Sequence, residues 1–321
     1  MSGFDPSIAA AGLCVGILVG LTGMGGGALM TPVLVFFFKV DPLTAVGSDV
    51  VSSLFMKPAG AIVHLVRRTA NLRLAGWLCV GSVPAAFLGS YLVDRLRVLS
   101  DFDTVLKGAL GVALLIAAAG LVLRAWFAMV RQHTPFGEGP APMRTAAVVV
   151  RPLPTALLGA LGGLTVGMTS VGAGSLIITF LLLLYPRLKV SELVGTDLVQ
   201  AIPLVASASL GHLIFGSVSL GVTSSVLAGA IPGAFLGAQL SSRAPGGIIR
   251  RALAIVLMAS GLKLVGAPTP AVVAAALGAI AVGNVAWILL RRRFSASRPV
   301  PSFRRGDGSD HTRLSDDANT K

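Results

Sequence analysis

The chain has 321 residues, of which 54% are hydrophobic and 12% charged, and its mean hydropathy is +0.85. That balance excludes an ordinary soluble domain and leaves a polytopic integral membrane protein as the class. The formal net charge of +13 does not mark a nucleic-acid binder, because the Lys and Arg residues cluster in short loops and in the tail, where they act as topology signals. Cys14 and Cys79 lie in apolar segments without metal-ligand spacing and read as small packing residues, implying neither a disulfide nor zinc. Met1 to Ala11 lacks a basic n-region, so no cleavable signal peptide is expected.

Apolar sequence runs from Ile8 to Phe38, about 46 Å as a straight helix against a hydrocarbon core of about 30 Å. Its middle reads LTGMGGGALMT, Leu21 to Thr31. Gly23, Gly25, Gly26 and Gly27 each cost a helix interior about 1 kcal/mol relative to Ala, so the spacing predicts that the helix stops and restarts here. Backbone groups freed at membrane depth are tolerated only in a protein interior or a wet cavity.

Apolar segments follow at Leu43 to Val66, Leu74 to Val93 and Thr104 to Phe127, each long enough to span. The polar linker RQHTPFGEGPAPMR, Arg131 to Arg144, closes the first half. A second glycine-broken element, Thr155 to Tyr185, precedes spans at Leu193 to Phe215, Leu220 to Leu240, Ile248 to Val265 and Ala271 to Leu290. From Arg291 the chain is polar, mixed in charge and rich in Ser and Pro, and reads as a disordered tail.

The two halves repeat one another. GMGGGAL from Gly23 matches SVGAGSL from Ser170 at an offset of 147. At an offset of 148, Gly47, Asp49, Val51, His64, Leu72, Gly81, Pro84, Phe87, Leu88 and Gly89 recur as Gly195, Asp197, Val199, His212, Leu220, Gly229, Pro232, Phe235, Leu236 and Gly237. The expected fold is therefore all-α, with two internal repeats, each a glycine-broken re-entrant or discontinuous helix plus three spans, and one extra C-terminal span. The expected divisions are a first membrane repeat at 1–127, a cytoplasmic linker at 128–150, a second repeat at 151–266, an extra transmembrane helix at 267–290 and a basic tail at 291–321.

Loop charges favour inverted over parallel repeats. Arg291, Arg292 and Arg293 place the C-terminus in the cytoplasm, and counting back puts Arg243, Arg250 and Arg251 inside, the uncharged Gly216 to Ser219 loop outside, and Arg187 and Lys189 inside. A re-entrant Thr155 to Tyr185 then keeps Arg131, Arg144, Arg151, Arg67, Arg68 and Arg73 inside and the N-terminus outside, with Arg95 and Arg97 the one misfit. A continuous kinked helix would instead give parallel repeats. Inverted repeats with broken helices are a recurring architecture of secondary transporters, whose substrate sits near the bilayer midplane.

The span after the first break carries the chemistry. At about 100° per residue, Ser53, Lys57 and His64 lie about 40°, 80° and 60° from Asp49, so all four share one face. A charge at the bilayer centre costs about 2.5 to 3.5 kcal/mol and so faces a cavity or a partner; for Asp49 a helix-dipole role is the competing account, and for Lys57 snorkelling is. In the second half Asp197 and His212 recur, Val205 replaces Lys57, and Gln200 lies one turn after Asp197. His64 and His212 are read as interfacial residues or, with Asp49 and Asp197, as proton-coupling groups. Pro84 and Pro232 read as kink and packing positions.

A single cation beside broken backbone suits an anion. The candidate substrate-binding residues are Thr22, Gly25, Gly26, Gly27, Ser48, Asp49, Ser53, Lys57, Gly172, Gly174, Ser175, Thr196, Asp197 and Gln200, with Thr169 and Ser170 as further hydroxyl donors. Backbone N–H groups at Gly25 to Ala28 and Gly172 to Leu176 form the expected donor arrays at the two restarting helices. Close helix packing is the competing role for the glycines.

GLTGMGGGALMTPVL, the following VGSD, GTD in the second half and the paired P-x-x-FLG segments resemble the sulfite exporter TauE/SafE family of membrane permeases, from Ala10 to Val265. The resemblance implies export of sulfur-containing anions such as sulfite or sulfoacetate; the last span and the arginine-rich tail depart from the simplest family pattern. The expected function is a secondary transporter of small anions, driven by an ion gradient, in the plasma membrane. The alternatives are an importer or a cation-coupled permease using Asp49 and Asp197, or a membrane-embedded enzyme or assembly factor, which the lack of HExxH, GxSxG and clustered metal ligands disfavours. No cofactor and no metal are expected, and the partners are the small anion, the bilayer and, in an assembly, further copies of the chain.

Overall fold

The computed structural model describes residues 3–22, 27–66, 70–98, 100–133, 150–172, 174, 176–185, 188, 190–215, 218–240 and 246–295. Eleven α-helices are laid out among them: α1 (Pro6–Thr22), α2 (Gly27–Phe36), α3 (Pro42–Val66), α4 (Leu72–Leu96), α5 (Phe102–His133), α6 (Pro152–Thr169), α7 (Leu176–Leu184), α8 (Val190–Ile214), α9 (Leu220–Leu240), α10 (Gly246–Leu264) and α11 (Thr269–Ser295). Five stretches within them are long and apolar enough to cross a membrane by length and composition: Leu72–Leu96, Phe102–Leu123, Pro152–Thr169, Glu192–Ile214 and Leu220–Gly237. One compact unit takes in Met1–Ile280; the other, Ala281–Lys321, is described only as the end of α11. Both glycine-rich stretches interrupt a helix as expected, between α1 and α2 and between α6 and α7. Two helices outrun their expected spans, α5 continuing past Phe127 to His133 and α11 past Leu290 to Ser295. The rest of the linker, 134–149, and of the tail, 296–321, lies outside the described residues.

The densest helix contacts cross between the halves. α1 runs along α9, and α6 runs along α4. In both seams glycines recur at every fourth residue, which lets backbones approach to contact without a side chain between them. A Cβ on Gly229 would strike the carbonyl oxygen of Ala9, and one on Gly81 would strike that of Ala156. These two collisions involve positions that match at the sequence offsets. Gly12 and Gly16 meet Val226 and Ala230, while Gly159 and Gly163 meet Leu78 and Ser82. In each seam rising residue numbers on one helix meet rising numbers on the other, so each pair is parallel.

Hydrogen bonds give the direction of the remaining helices. Asp5 N–H donates to Ser225 Oγ at 2.8 Å, and Ser219 N–H donates to Ser48 Oγ at 3.3 Å. Hence α1, α3 and α9 begin at one face. At the other, Asn71 N–H donates to Thr196 Oγ1 at 3.0 Å, joining the starts of α4 and α8; α6 begins there too, since Ala156 meets Gly81. Asn71 and Ser219 each accept from the N–H three residues on, Leu74 and Val222, at 3.1 and 3.5 Å, so each caps the helix it precedes. Because α8 ends at Ile214 and Ser219 already lies beside Ser48, α8 runs opposite to α3.

The second broken element folds back on itself. Tyr185, just after α7, accepts from Arg151 N–H at 2.9 Å and shares a 2.6 Å hydrogen bond with Thr155 Oγ1, both at the start of α6. α7 therefore returns to the face from which α6 set out. The first element must do the same, because α3 begins at the face where α1 begins. α4, α6 and α8 then meet around Ser90, whose hydroxyl lies 3.2 Å from Ala86 O, 3.5 Å from Gly167 O and 3.1 Å from Ala208 O. The core between the helices is filled by Leu34, Leu43, Leu78, Leu114, Leu181 and Leu204, all essentially buried.

Candidate functional site

Asp49 is the focus of the buried polar residues. It lies on α3 at 2% exposure, and its Oδ2 accepts from Thr31 Oγ1 of α2 at 2.8 Å and from Ser170 Oγ at 2.9 Å. Ser170 follows α6 directly; its N–H closes that helix on Val166 O at 2.8 Å, and its φ of 58° puts it in the left-handed region. A residue with a Cβ resists that conformation by about 1 to 2 kcal/mol, which the bond to Asp49 offsets. Gly27, the first residue of α2, faces the same Ser170: a Cβ there would strike the Ser170 carbonyl oxygen. The start of α2 and the end of α6 thus touch, and Asp49 binds one residue of each.

Lys57 is 7% exposed, two turns along α3 from Asp49. It is buried and does not snorkel to an interface. The carboxylates of Asp197 on α8 and Asp49 on its own helix are the charges that act on it. Two buried polar atoms on these same helices have no hydrogen-bond partner among the described residues, Ser53 Oγ on α3 and Gln200 Oε1 on α8. Gln200 Nε2 donates to Ser82 Oγ of α4 at 2.7 Å. Amide orientation is assigned from such networks, and turning the group over would let Ser82 donate to the oxygen and present the NH₂ inward. The centre therefore offers an ammonium, a hydroxyl and an amide, flanked by two carboxylates.

Other expected residues are engaged elsewhere. Ser48 and Thr196 bind the N–H groups of Ser219 and Asn71 and tie helix starts together. His212 is buried near the end of α8, its Nε2–H donating to Gly167 O at 2.8 Å, while His64 is partly exposed near the end of α3. Thr169 Oγ1 bonds Thr165 O at 2.6 Å. At Gly172 the φ of 127° requires glycine, and its carbonyl accepts from Leu176 N–H at 3.1 Å and Ile177 N–H at 3.4 Å. Of the expected donor array, the Leu176 N–H is engaged within its own turn. Gly174 lies within the second break; Gly25, Gly26 and Ser175 fall outside the described residues, and Thr22 is described only as the end of α1. Among the described residues no group of His, Cys, Asp or Glu is placed to hold a metal ion.

Two participants were missed from the sequence, Thr31 and Ser82. Thr31 had a signal: it recurs as Thr179 at the same offset of 148 as Asp49 and Asp197. Ser82 had none, its counterpart being Ala230.

The profile of the sulfite exporter TauE/SafE family matches residues 8–264, both halves and both breaks. The chain belongs to that family. This TauE/SafE chain is 34% identical over 260 residues to the probable membrane transporter protein YjnA of Bacillus subtilis, covering 81% of the chain and 99% of the relative. It is 26% identical over 250 residues to the probable membrane transporter protein YdhB of the same organism, 78% of the chain and 96% of the relative. No solved structure matches it. Family and relatives are membrane transporters and not enzymes, so the TauE/SafE chain is a multi-pass transporter of the plasma membrane.

Proposed function

We propose that the chain is a secondary transporter exporting small anions of the sulfite or organosulfonate kind, driven by an ion gradient. The observation that carries this reading is Lys57, buried on α3, the helix that also carries the buried Ser53 Oγ, which has no hydrogen-bond partner among the described residues. A buried cation with an unused hydrogen-bonding atom on the same helix favours an anionic oxygen ligand. Lys57 supplies the charge, and Ser53 and Gln200 the orienting hydrogen bonds. The class of anion comes from the family description. Asp49 and Asp197 support the ion gradient: with both ionised around one lysine, an arriving anion raises an existing negative excess, so a cation or proton must accompany it.

The halves are read as inverted repeats. What supports this is the matched contacts at the sequence offsets, Ala9 with Gly229 and Ala156 with Gly81, Ser48 with Ser219 and Thr196 with Asn71. The opposed directions of α3 and α8, equivalent helices of the two halves, add to it. The face where α4 and α6 begin carries Arg73 and Arg151 and is assigned to the cytoplasm.

Flux of labelled sulfite, sulfate, thiosulfate and sulfoacetate in proteoliposomes, each with and without a pH gradient, tests the proposal. Gradient-driven movement of sulfite or sulfoacetate is the expected result. Movement of metal cations alone, with no anion flux, would overturn it in favour of a cation permease.

A further inference from the structure

We propose that Asp49 is a proton-operated latch which holds α2 and the end of α6 against α3 while ionised and releases them together when protonated. The inference rests on the transport reading for its purpose, but its geometry stands apart from any substrate.

A single oxygen, Asp49 Oδ2, receives both hydroxyls, Thr31 at 2.8 Å and Ser170 at 2.9 Å. Through them it joins α2, α3 and the residue that ends α6. The start of α2 also touches the end of α6 directly, Gly27 against the Ser170 carbonyl, so releasing Ser170 loosens the contact between them. Ser170 is one of two described non-glycine residues at positive φ, with Lys39; once free of Asp49 it has a conformational reason to leave. The device is built on one side only. Asp49 and Thr31 recur as Asp197 and Thr179, but the position matching Ser170 is Gly23, which has no hydroxyl.

The chemistry follows from the donor count. A carboxylate accepts hydrogen bonds, and charge-assisted ones are about twice as strong as neutral ones. A proton taken from the aqueous side bonds one carboxylate oxygen, which becomes a donor, and the other keeps no charge. No electrons move and nothing leaves. Among the described residues, Lys57 on the same helix is the charge that acts on Asp49, Asp197 on α8 acts on that same lysine, and α2 and Ser170 contribute hydroxyls. α9 has no titratable side chain, and those of α5 are Asp103, Lys107, Arg124, Arg131 and His133. With Asp49 and Asp197 ionised the three charges leave one negative in excess; with Asp49 protonated they balance, so the state that frees α2 and the end of α6 is also the state that repels an anion least.

The test uses the full chain in liposomes with Cys14 and Cys79 replaced by Ala and a nitroxide on Gly174→Cys, read by electron paramagnetic resonance without substrate. In the parent, acidification should shift the label to a more mobile spectrum. Asp49→Asn should be mobile at both acid and alkaline pH, and so should Ser170→Ala, which keeps the carboxylate and decides the matter should Asp49→Asn fail to fold. A parent spectrum unmoved by pH, or a Ser170→Ala spectrum that still responds to pH as the parent does, overturns the latch. Sulfite and sulfoacetate flux measured on the same liposomes separates the two readings. A label that responds without flux sinks the substrate and keeps the latch; flux with a silent label does the reverse.

Discussion

Ser170 donates its hydroxyl to Asp49 across 2.9 Å, from the end of α6 to the eighth residue of α3. The pair lies 121 positions apart in the chain and joins the second break to the helix that follows the first. Its consequence is that α2 and the end of α6 are not independent. They share a carboxylate, and that carboxylate shares a lysine with Asp197.

The first prediction concerns Lys57 and the anion. Lys57→Met keeps the apolar stem and removes the charge. Loss of a charge-assisted contact of about 1.5 to 3 kcal/mol weakens apparent anion affinity about 10- to 150-fold, measured as the concentration dependence of sulfite or sulfoacetate flux. Lys57→Arg should fall between, because a planar guanidinium is not a point ammonium. Unchanged affinity in Lys57→Met would move binding onto hydroxyl and backbone groups.

The same substitution has a stability signature. Lys57 is buried with Asp49 and Asp197 acting on it, so its removal leaves carboxylates without their cation, at a cost of up to about 3 to 5 kcal/mol. The sign with pH follows directly: carboxylates that take up protons no longer need the lysine, so the loss should shrink as pH falls. Thermal unfolding in detergent at several pH values reads this. An equal loss at every pH would mean that the methionine is simply a poor fit.

Glycine substitutions separate seam from surface. Gly229→Ala and Gly81→Ala drive a methyl into the Ala9 and Ala156 carbonyls and should destabilise by about 1 to 3 kcal/mol each. Gly76, on the same helix as Gly81, has nothing within 4 Å of its would-be Cβ; Gly76→Ala should be neutral or stabilising by up to about 1 kcal/mol. Thermal unfolding of the three variants side by side is the measurement, and equal effects at all three would discredit the close seams.

Tyr185→Phe deletes the hydroxyl that closes the second hairpin on Arg151 and Thr155. Losing this part-buried hydrogen bond costs about 0.5 to 1.5 kcal/mol. Protease sensitivity near Arg151 should rise, while a hairpin held by other contacts would show no change.

Topology is read by labelling single cysteines in a background without Cys14 and Cys79. A cysteine in the Arg131 to Arg144 linker should react only from the cytoplasm, and one replacing Val218, in the loop before α9, only from outside. Reaction of the linker cysteine from the periplasmic side of intact cells would reject the inverted arrangement.

The membrane class, the two breaks and the bounds of most helices were legible in the chain because hydropathy, glycine and proline act locally. α3 and α8, each of 25 residues and starting at Pro42 and Val190, begin 148 positions apart, the offset of the sequence identities. The shared face of Asp49, Ser53 and Lys57 was legible for the same reason, since helix geometry needs no partner to be known. What tertiary structure alone decided was which groups meet across the halves. That Thr31 and Ser170 converge on one oxygen of Asp49, that Lys57 has two carboxylates for company, and that Leu176 N–H turns back to Gly172 all depend on how the helices dock. In the glycine seams that docking is set by how closely two backbones can approach, a property of pairs of segments that neither sequence carries alone.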